Sequence, residues 1–530
     1  MINLAQIVAF GLVYLQRPVS AGPIPPDLSF SPRSVPFPID PDRLPPFTRR
    51  DLTSQQVQRE LGPLLSKGSS IFGPEDPRWD NATERYQTYA IPDIKVVVRP
   101  AQEDDIPKVV KYANGNSVAF MAKNRGHALT ATVGNFKGIQ IDMTSLTEIK
   151  YQPNMKSAWF QGGTFDHQVM KDLWDKGYVA TTGSCSCVGM MGPGLGGGYG
   201  RYQGLYGLIS DNLLNINLVL ADGRHIKVNE KENSDLWWAM QGAGHNFGIV
   251  TSFELKIYPK KVDSWYYRNY VFKGEKLESF FTEINKFKNN GSQPGVVAAD
   301  VGFYAVDKTV DEKPILIWSF TYAGPQKDAE KIFERFDHFD HLSRVEGNLP
   351  FWQIPGVQGT GLDDPLCESG HTHITTTAGL QVYNITAQRQ IYDLYEKKTT
   401  DKPELGPVSR VVLEGYSFEA VKRRDPASSA FPHRNDYILT YFDIVDPQNY
   451  GLTDYARKWA RETQDLWNKG QPEWRRSTPS TYLNYAFGDE PLEAMYGWEP
   501  WRLQRLKDLK AKYDRHQKFS YYNPIPPAKK

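Results

Sequence analysis

Apolar positions fall into two textures along the chain. Between residues 95 and 145 they come in short runs separated by periodic stretches. Val96-Val97-Val98 predicts a strand, closed by Arg99-Pro100. Ile106, Val109, Val110 and Ala113 recur at i, i+3, i+4 and i+7, which predicts a helix. Glu103-Asp104-Asp105 puts acid at its start, where the backbone dipole favours it. Val118 to Ala122 predicts a second strand, left by the loop Lys123 to His127. Ile139 to Met143 alternates and predicts a strand buried on one face. Phe165, Val169 and Leu173 mark another helix. Asn215 to Leu220, with a turn at Asp222-Gly223, and Ile249 to Ile257 complete this α/β half.

From about 263 to 475 the pattern changes. Strand-like runs at Trp265 to Val271, Ile315 to Tyr322 and Tyr437 to Phe442 alternate with helical segments such as 326–336 and 386–397. This predicts an antiparallel sheet backed by helices. At 500–513 a basic amphipathic helix carries Trp501, Leu503, Leu506, Leu509 and Tyr513, expected to face the core with the lysines solvated.

Composition then removes whole classes. The 530 residues exceed one ordinary core, so two domains are expected. With 62 basic and 61 acidic side chains, the charge footprint of a general nucleic-acid binder is missing. No apolar run approaches the roughly 20 residues of a membrane span. Three cysteines make no disulfide-dense scaffold. Aromatics, at 13%, suit stacking on flat or sugar-like ligands.

The N-terminus bears on compartment. Ile7 to Leu15 is a short apolar stretch and Val19-Ser20-Ala21 offers a cleavage site, so residues 1–21 read as a signal peptide, although no Lys or Arg precedes them. A proline-rich segment follows, giving an N-terminal region 22–90 outside the main fold. Secretion is therefore expected. The sequons at Asn81, Asn290 and Asn384 are compatible with a glycoprotein, though such triplets also arise by chance.

The densest chemical signal runs from Gly183 to Gly200. Glycines at this frequency serve close backbone approach or unusual dihedrals, and amides freed of side chains can cradle phosphate or line a flat ring. Gly192, Gly194 and Gly197 formally satisfy the Gly-x-Gly-x-x-Gly fingerprint. Cys185 to Gly189 rather than an apolar strand precedes them, and Pro193 lies inside, so a Rossmann site is rejected. No Gly-Lys-Ser/Thr, His-Glu-x-x-His or Gly-x-Ser-x-Gly occurs, which disfavours the major hydrolases.

These segments resemble a known family. Gly126-His127, Gly183-x-Cys185-x-x-Val188-Gly189 and Leu195-Gly196-Gly197-Gly198-x-Gly200 are similar to the FAD-linked oxidases, specifically the berberine-bridge-enzyme-like branch of the vanillyl-alcohol-oxidase superfamily. Gly242-Ala243-Gly244 leading to Phe247-Gly248-Ile249-Val250-Thr251, and Tyr482-Leu483-Asn484-Tyr485, extend the likeness, which has a fungal character. It is strong over 90–262, returns at 480–527 and is thin between. The resemblance implies an α+β chain: a two-lobed PCMH-type FAD-binding domain (91–262) with an inserted substrate domain (263–478), and a C-terminal segment (479–530) returning to the FAD domain.

It also implies site residues. The loop Asn124, Arg125, Gly126 and His127, with Gly183, Ser184, Val188, Gly189, Gly192, Gly197 and Gly198, would hold the pyrophosphate and isoalloxazine, Gly248 and Val250 the adenine end. In this branch a histidine at the position of His127 bonds the flavin 8-methyl carbon, and a cysteine at that of Cys185 bonds ring carbon 6. Both are nucleophiles able to add to an electron-poor ring. The usual Arg-Gly-Gly-His is altered here to Asn124-Arg125-Gly126-His127, which makes the histidyl bond the less secure. Cys187, often Thr in the family, is expected to pack. His371-x-His373 lacks a third metal ligand and is assigned to a cavity or the surface, and no metal is expected. Tyr485 is the expected base, flanked by Tyr482 and Asn484. A phenol near pKa 10 needs a neighbouring cation or donor to serve at neutral pH.

The function expected is an FAD-dependent oxidase taking hydride from a bulky natural product and reducing dioxygen to hydrogen peroxide. The alternatives are a carbohydrate oxidase, a dehydrogenase using another acceptor, and a flavin-carrying protein without turnover. The partners expected are a small-molecule substrate and dioxygen, with no nucleic acid and no membrane span, and the chain is expected to be a monomer.

Overall fold

The computed structural model describes residues 52–528. The signal-peptide reading at 1–21 and the start of the proline-rich segment lie outside them. Strands β1 (Ser70–Phe72), β2 (Asp93–Arg99), β3 (Ala119–Lys123) and β4 (Lys137–Asp142) form a sheet of order β1-β2-β4-β3. β4 runs parallel to both neighbours. A central parallel strand is covered on both faces, so β4 is buried on both, not on the one face its alternation predicted. The helix Asp105–Gly115 makes the crossover from β2 to β3 and buries Ile106, Val109, Val110 and Ala113.

The N-terminal boundary also moves. Val57, in the helix Ser54–Glu60, is fully buried, and β1 pairs antiparallel with β2. The first lobe therefore begins near residue 54, well before the expected 91.

The second lobe comprises β5 (Ile149–Tyr151), β6 (Ser157–Gln161), β7 (Tyr178–Val179), β8 (Leu213–Val219), β9 (His225–Val228), β10 (Ile249–Lys256) and β11 (Tyr258–Pro259). Five of these make the antiparallel order β5-β6-β10-β8-β9, while β7 pairs with β11. The helix Asp166–Asp175 and the C-terminal helix Pro500–Tyr513 belong to this lobe. Leu503, Leu506 and Leu509 are buried as expected, but Trp501 is 43% exposed. Its ring lies beside Trp238 and carries the Arg502 guanidinium, so it covers the surface rather than filling the core.

The substrate domain is a seven-stranded antiparallel sheet: β12 (Trp265–Lys273), β13 (Val297–Ala305), β14 (Ile315–Tyr322), β15 (Ser343–Leu349), β16 (His373–Leu380), β17 (Ser409–Tyr416) and β18 (Ile438–Val445). Its order is β15-β12-β14-β13-β17-β18-β16. Because side chains alternate, one face carries Tyr270, Trp318, Phe320, Leu413 and Phe442 into a core with the helices Leu277–Lys288, Ile385–Asp401 and Thr453–Lys469. The other face carries the buried polar residues Glu414, Tyr416, Tyr441, Asp443 and His373.

That polar face meets the first two lobes and the C-terminal segment. Arg434, fully buried, grips Asp211 through two hydrogen bonds of 2.7 and 3.0 Å, and Arg424 adds a third at 3.0 Å. Residues 85–88 run between the halves. The Tyr86 N–H donates to Gly126 O, and Thr88 N–H donates to His371 O.

Candidate active site

The glycine segment lies at this junction. Gly197 has φ +104°, a left-handed conformation, and a side chain there would strike the Phe431 ring. Gly198 shares the positive φ. Asn484 donates to Pro193 O at 3.0 Å and to the Tyr482 hydroxyl at 2.7 Å, so the C-terminal segment lies over the glycines.

Loop 123–127 closes the other side. The Asn124 amide donates to Gly162 O and Thr164 O and packs on Gly189. Arg125 donates to Cys187 O at 3.3 Å and lies over the Phe165 ring. The His127 Nδ1 is 3.2 Å from Arg125 O, and its Nε2 is 3.4 Å from Cys187 Sγ. Burial lowers His127 to about 4, so its imidazole is neutral at neutral pH. His127 stacks on Tyr86, which stacks on His373. His373 is buried with its Nδ1 2.9 Å from Asp443, whereas His371 is half-exposed with its Nδ1 2.8 Å from Asp446.

Cys187 is not simple packing. It forms a disulfide with Cys367, 180 residues away, because the loop before β16 folds back onto the glycine segment. Cys185 is the free thiol and is half-buried. Burial, reinforced by Asp166, pushes it up to about 12, so it is held protonated. Val188 is half-buried beside it. Gly183 donates its N–H to Asp166 at 2.9 Å, and Arg201 donates to Ser184 O at 2.7 Å.

Sequence reasoning left the partner of Tyr485 open between a cation and a donor. The structure puts a carboxylate there. The Tyr485 hydroxyl donates to Glu414 at 3.0 Å; the Tyr416 hydroxyl lies 2.6 Å from Glu414 and 2.9 Å from Ser184 Oγ. Burial first, then Glu414, drives Tyr485 well above 10, the opposite of the lowering a phenolate base requires. Burial also raises Tyr482 to about 12. Glu414 itself is raised by burial, against the hydrogen bonds from both tyrosines. Its signal in the sequence was a lone acid inside the apolar run Val411-Val412-Leu413-Glu414-Gly415-Tyr416.

Around the glycine segment, an open glycine and two unpartnered polar atoms suit a polar ligand. Gly192 is exposed amid buried neighbours, and nothing lies within 4 Å of where its Cβ would stand. His245 donates to Gly192 O at 2.8 Å and stacks on Tyr522. Its Nδ1 and the Asn124 Oδ1 are buried with no hydrogen-bond partner among the described residues. Gly248 and Val250 pack on β8, and from that segment it is His245 that reaches the glycines.

Residues 94–229 match the FAD binding domain family, which makes this an FAD-binding protein. The chain is 54% identical to the FAD-linked oxidoreductase anuG of Penicillium roqueforti, covering 92% of this chain and 95% of that protein. It is 50% identical to the FAD-linked oxidoreductase OXR2 of Pyricularia oryzae, covering 91% and 93%. Among solved structures, Physcomitrella patens BBE-like 1 superposes with a TM-score of 0.74 at 21% identity, covering 89% of this chain and all of that one. The Acremonium strictum glucooligosaccharide oxidase, which carries a 6-S-cysteinyl, 8α-N1-histidyl FAD, gives 0.73 at 20% identity, with 89% and 100% covered. The chain belongs to the fungal FAD-linked oxidoreductases, with the berberine-bridge-enzyme-like fold.

Proposed function

We propose that this FAD-dependent oxidoreductase is an oxidase that takes hydride from an apolar, natural-product alcohol or amine, with its FAD held covalently by His127 and Cys185. The observation that carries the reading is the pair of buried Glu414 and half-buried Tyr485, hydrogen-bonded through Tyr416 to the loop of Cys185. Bound FAD would supply the hydride acceptor and the electrons that reduce dioxygen. Glu414 accepts the proton: the Tyr485 hydroxyl receives it from the substrate as its own passes to the carboxylate. Tyr485 is thus a relay, and the high pKa of its phenol is no obstacle.

The substrate class rests on the same sheet face. Val301 stands opposite Glu414, and Phe303 stands opposite both Ile317 and Val412. All four apolar residues are half-buried, a contiguous apolar wall beginning at the base. A flat hydrophobic body is favoured there over an oligosaccharide, whose hydroxyls need polar partners. The Cys187–Cys367 disulfide supports a secretory route, since such bonds persist in oxidising compartments.

Attachment is tested by acid precipitation and peptide mass. Flavin should appear on tryptic peptides 126–137 and 177–201, and free FAD in the supernatant refutes both bonds. Anaerobic flavin bleaching against aryl alcohols, alkaloid amines and oligosaccharides tests the substrate class. Bleaching by the sugars alone refutes it.

A further inference from the structure

The three cysteines of this chain meet at one point. The Cys185 thiol lies 3.6 Å from Cys187 Sγ and 3.8 Å from Cys367 Sγ, and these two sulfurs are bonded to each other. Either would be close enough to pair with Cys185 after a small side-chain rotation. Cys367 arrives on the substrate-domain loop, which is also pinned beside the thiol: Ser186 N–H donates to Thr360 O, and Thr360 Oγ1 donates to Ser184 O. The contact is therefore built into the fold from both sides.

We propose that the Cys187–Cys367 disulfide is a guard that keeps Cys185 reduced, and hence available to the cofactor, by occupying the two sulfurs that would otherwise capture it. The inference rests on the reading of Cys185 as a flavin attachment point, but its direct consequence concerns only sulfur pairing. If Cys187 is removed, the thiols of Cys185 and Cys367 are left side by side. A small-molecule disulfide such as oxidised glutathione then takes their two electrons and two protons, becoming two thiols, and a Cys185–Cys367 bond forms. If Cys367 is removed, Cys187 plays the same part. With both removed, Cys185 has no partner sulfur in this chain. A disulfide that merely staples the two domains predicts a different order: the double variant should then be no better than either single one.

The full chain is produced in an oxidising host as the natural form, Cys187→Ser, Cys367→Ser and the double variant. Each is alkylated with iodoacetamide under non-reducing denaturation, digested and mapped. In the natural form and the double variant, Cys185 should carry flavin or the alkyl group. In Cys187→Ser, peptide 177–201 should instead be cross-linked to the peptide bearing Cys367. In Cys367→Ser it should hold an internal Cys185–Cys187 bond. Both single variants should lose flavin at Cys185 while flavin on His127 persists, which also shows that the cleft still folds. Single variants in which Cys185 stays unpaired overturn the guard, as does a double variant that fails to regain a free or flavin-bearing Cys185. Alkylation at Cys185 without flavin in the natural form refutes the attachment reading alone, because the sulfur pairings of the variants still test the guard.

Discussion

At the residue scale, the chemistry turns on side chains whose settings the sequence only partly disclosed. His127, Cys185 and Tyr485 could be proposed from the sequence because each sits in a recognisable string. Glu414 could not, because an acid within an apolar strand acquires meaning only when its face is known. Its raised pKa has a measurable consequence. The proton acceptor must be ionised, so turnover should rise with pH through a value above the ordinary glutamate range of about 4.3. Glu414→Gln removes the acceptor but keeps the hydrogen-bonding shape, so it should lower the rate of anaerobic flavin reduction by about 100- to 10,000-fold and abolish that acid limb. Tyr485→Phe should cost a similar factor with flavin content unchanged; a variant at Glu414 that reduces flavin at the natural rate places the base elsewhere. On the proposed oxidase reading, Val188 bears on the other half-reaction. It is half-buried, with its N–H 3.3 Å from Cys185 O; were dioxygen to reach the flavin past it, one further methylene would narrow that path, since packed interiors have few voids. Val188→Leu should therefore slow reoxidation in stopped-flow mixing with oxygenated buffer and leave anaerobic reduction almost untouched. Sluggish reoxidation of the natural protein would instead identify a dehydrogenase.

At the element scale, apolar periodicity located β2, β3, β8, β10, β12, β14 and β18, because each is a run long enough to be read against its flanking turns. What it missed has a common cause. β1 is three residues long and is a strand only because β2 offers an edge, so the N-terminal segment looked separate. The helix Pro500–Tyr513 showed its leucine stripe, but Trp501 lies off that stripe, where a large ring can cover neighbouring surface without entering the core. The helix Asp166–Asp175 shows an element tied to the site by one carboxylate. Asp166 accepts the Gly183 N–H, yet burial raises it to about 8 against that bond and the charge of Arg201. In the unfolded chain it titrates near 3.9. Between these values the folded state holds a proton that the unfolded state has released, so stability should fall as pH rises from about 4 to about 8. Asp166→Asn should flatten that part of the profile, as read from denaturant midpoints at a series of pH values. An unchanged slope in the variant would show that Asp166 is ionised in the folded protein.

At the scale of the whole molecule, the site exists only because two halves distant in sequence are held in register. The bidentate grip of Arg434 on Asp211 is the central tie, and it is buried on both sides. Phe431, three residues before Arg434, packs on Gly197, so the same tie fixes the substrate domain against the glycine segment. The partner of Arg434 was not legible in the sequence, because a pairing across 223 residues leaves no local trace. The energetics of such a pair are asymmetric. Taking both charges out of water costs nearly what their attraction returns, whereas removing one partner strands the other in a medium that cannot solvate it. Asp211→Asn keeps the shape and one acceptor oxygen but leaves the Arg434 guanidinium uncompensated, with Arg424 also losing its ion pair. The expected loss is about 3–5 kcal/mol of stability, measured by chemical denaturation. Replacing Arg434 as well, in Asp211→Asn with Arg434→Met, should recover part of it, since no stranded charge remains. Substrate turnover should respond differently, because restoring stability without the bidentate grip does not restore the position of Phe431 against Gly197. The double variant is therefore expected to be more stable than Asp211→Asn yet no better in flavin reduction. Recovery of both together would mean that the tie acts on stability alone and that packing, not the ion pair, sets the register of the two halves.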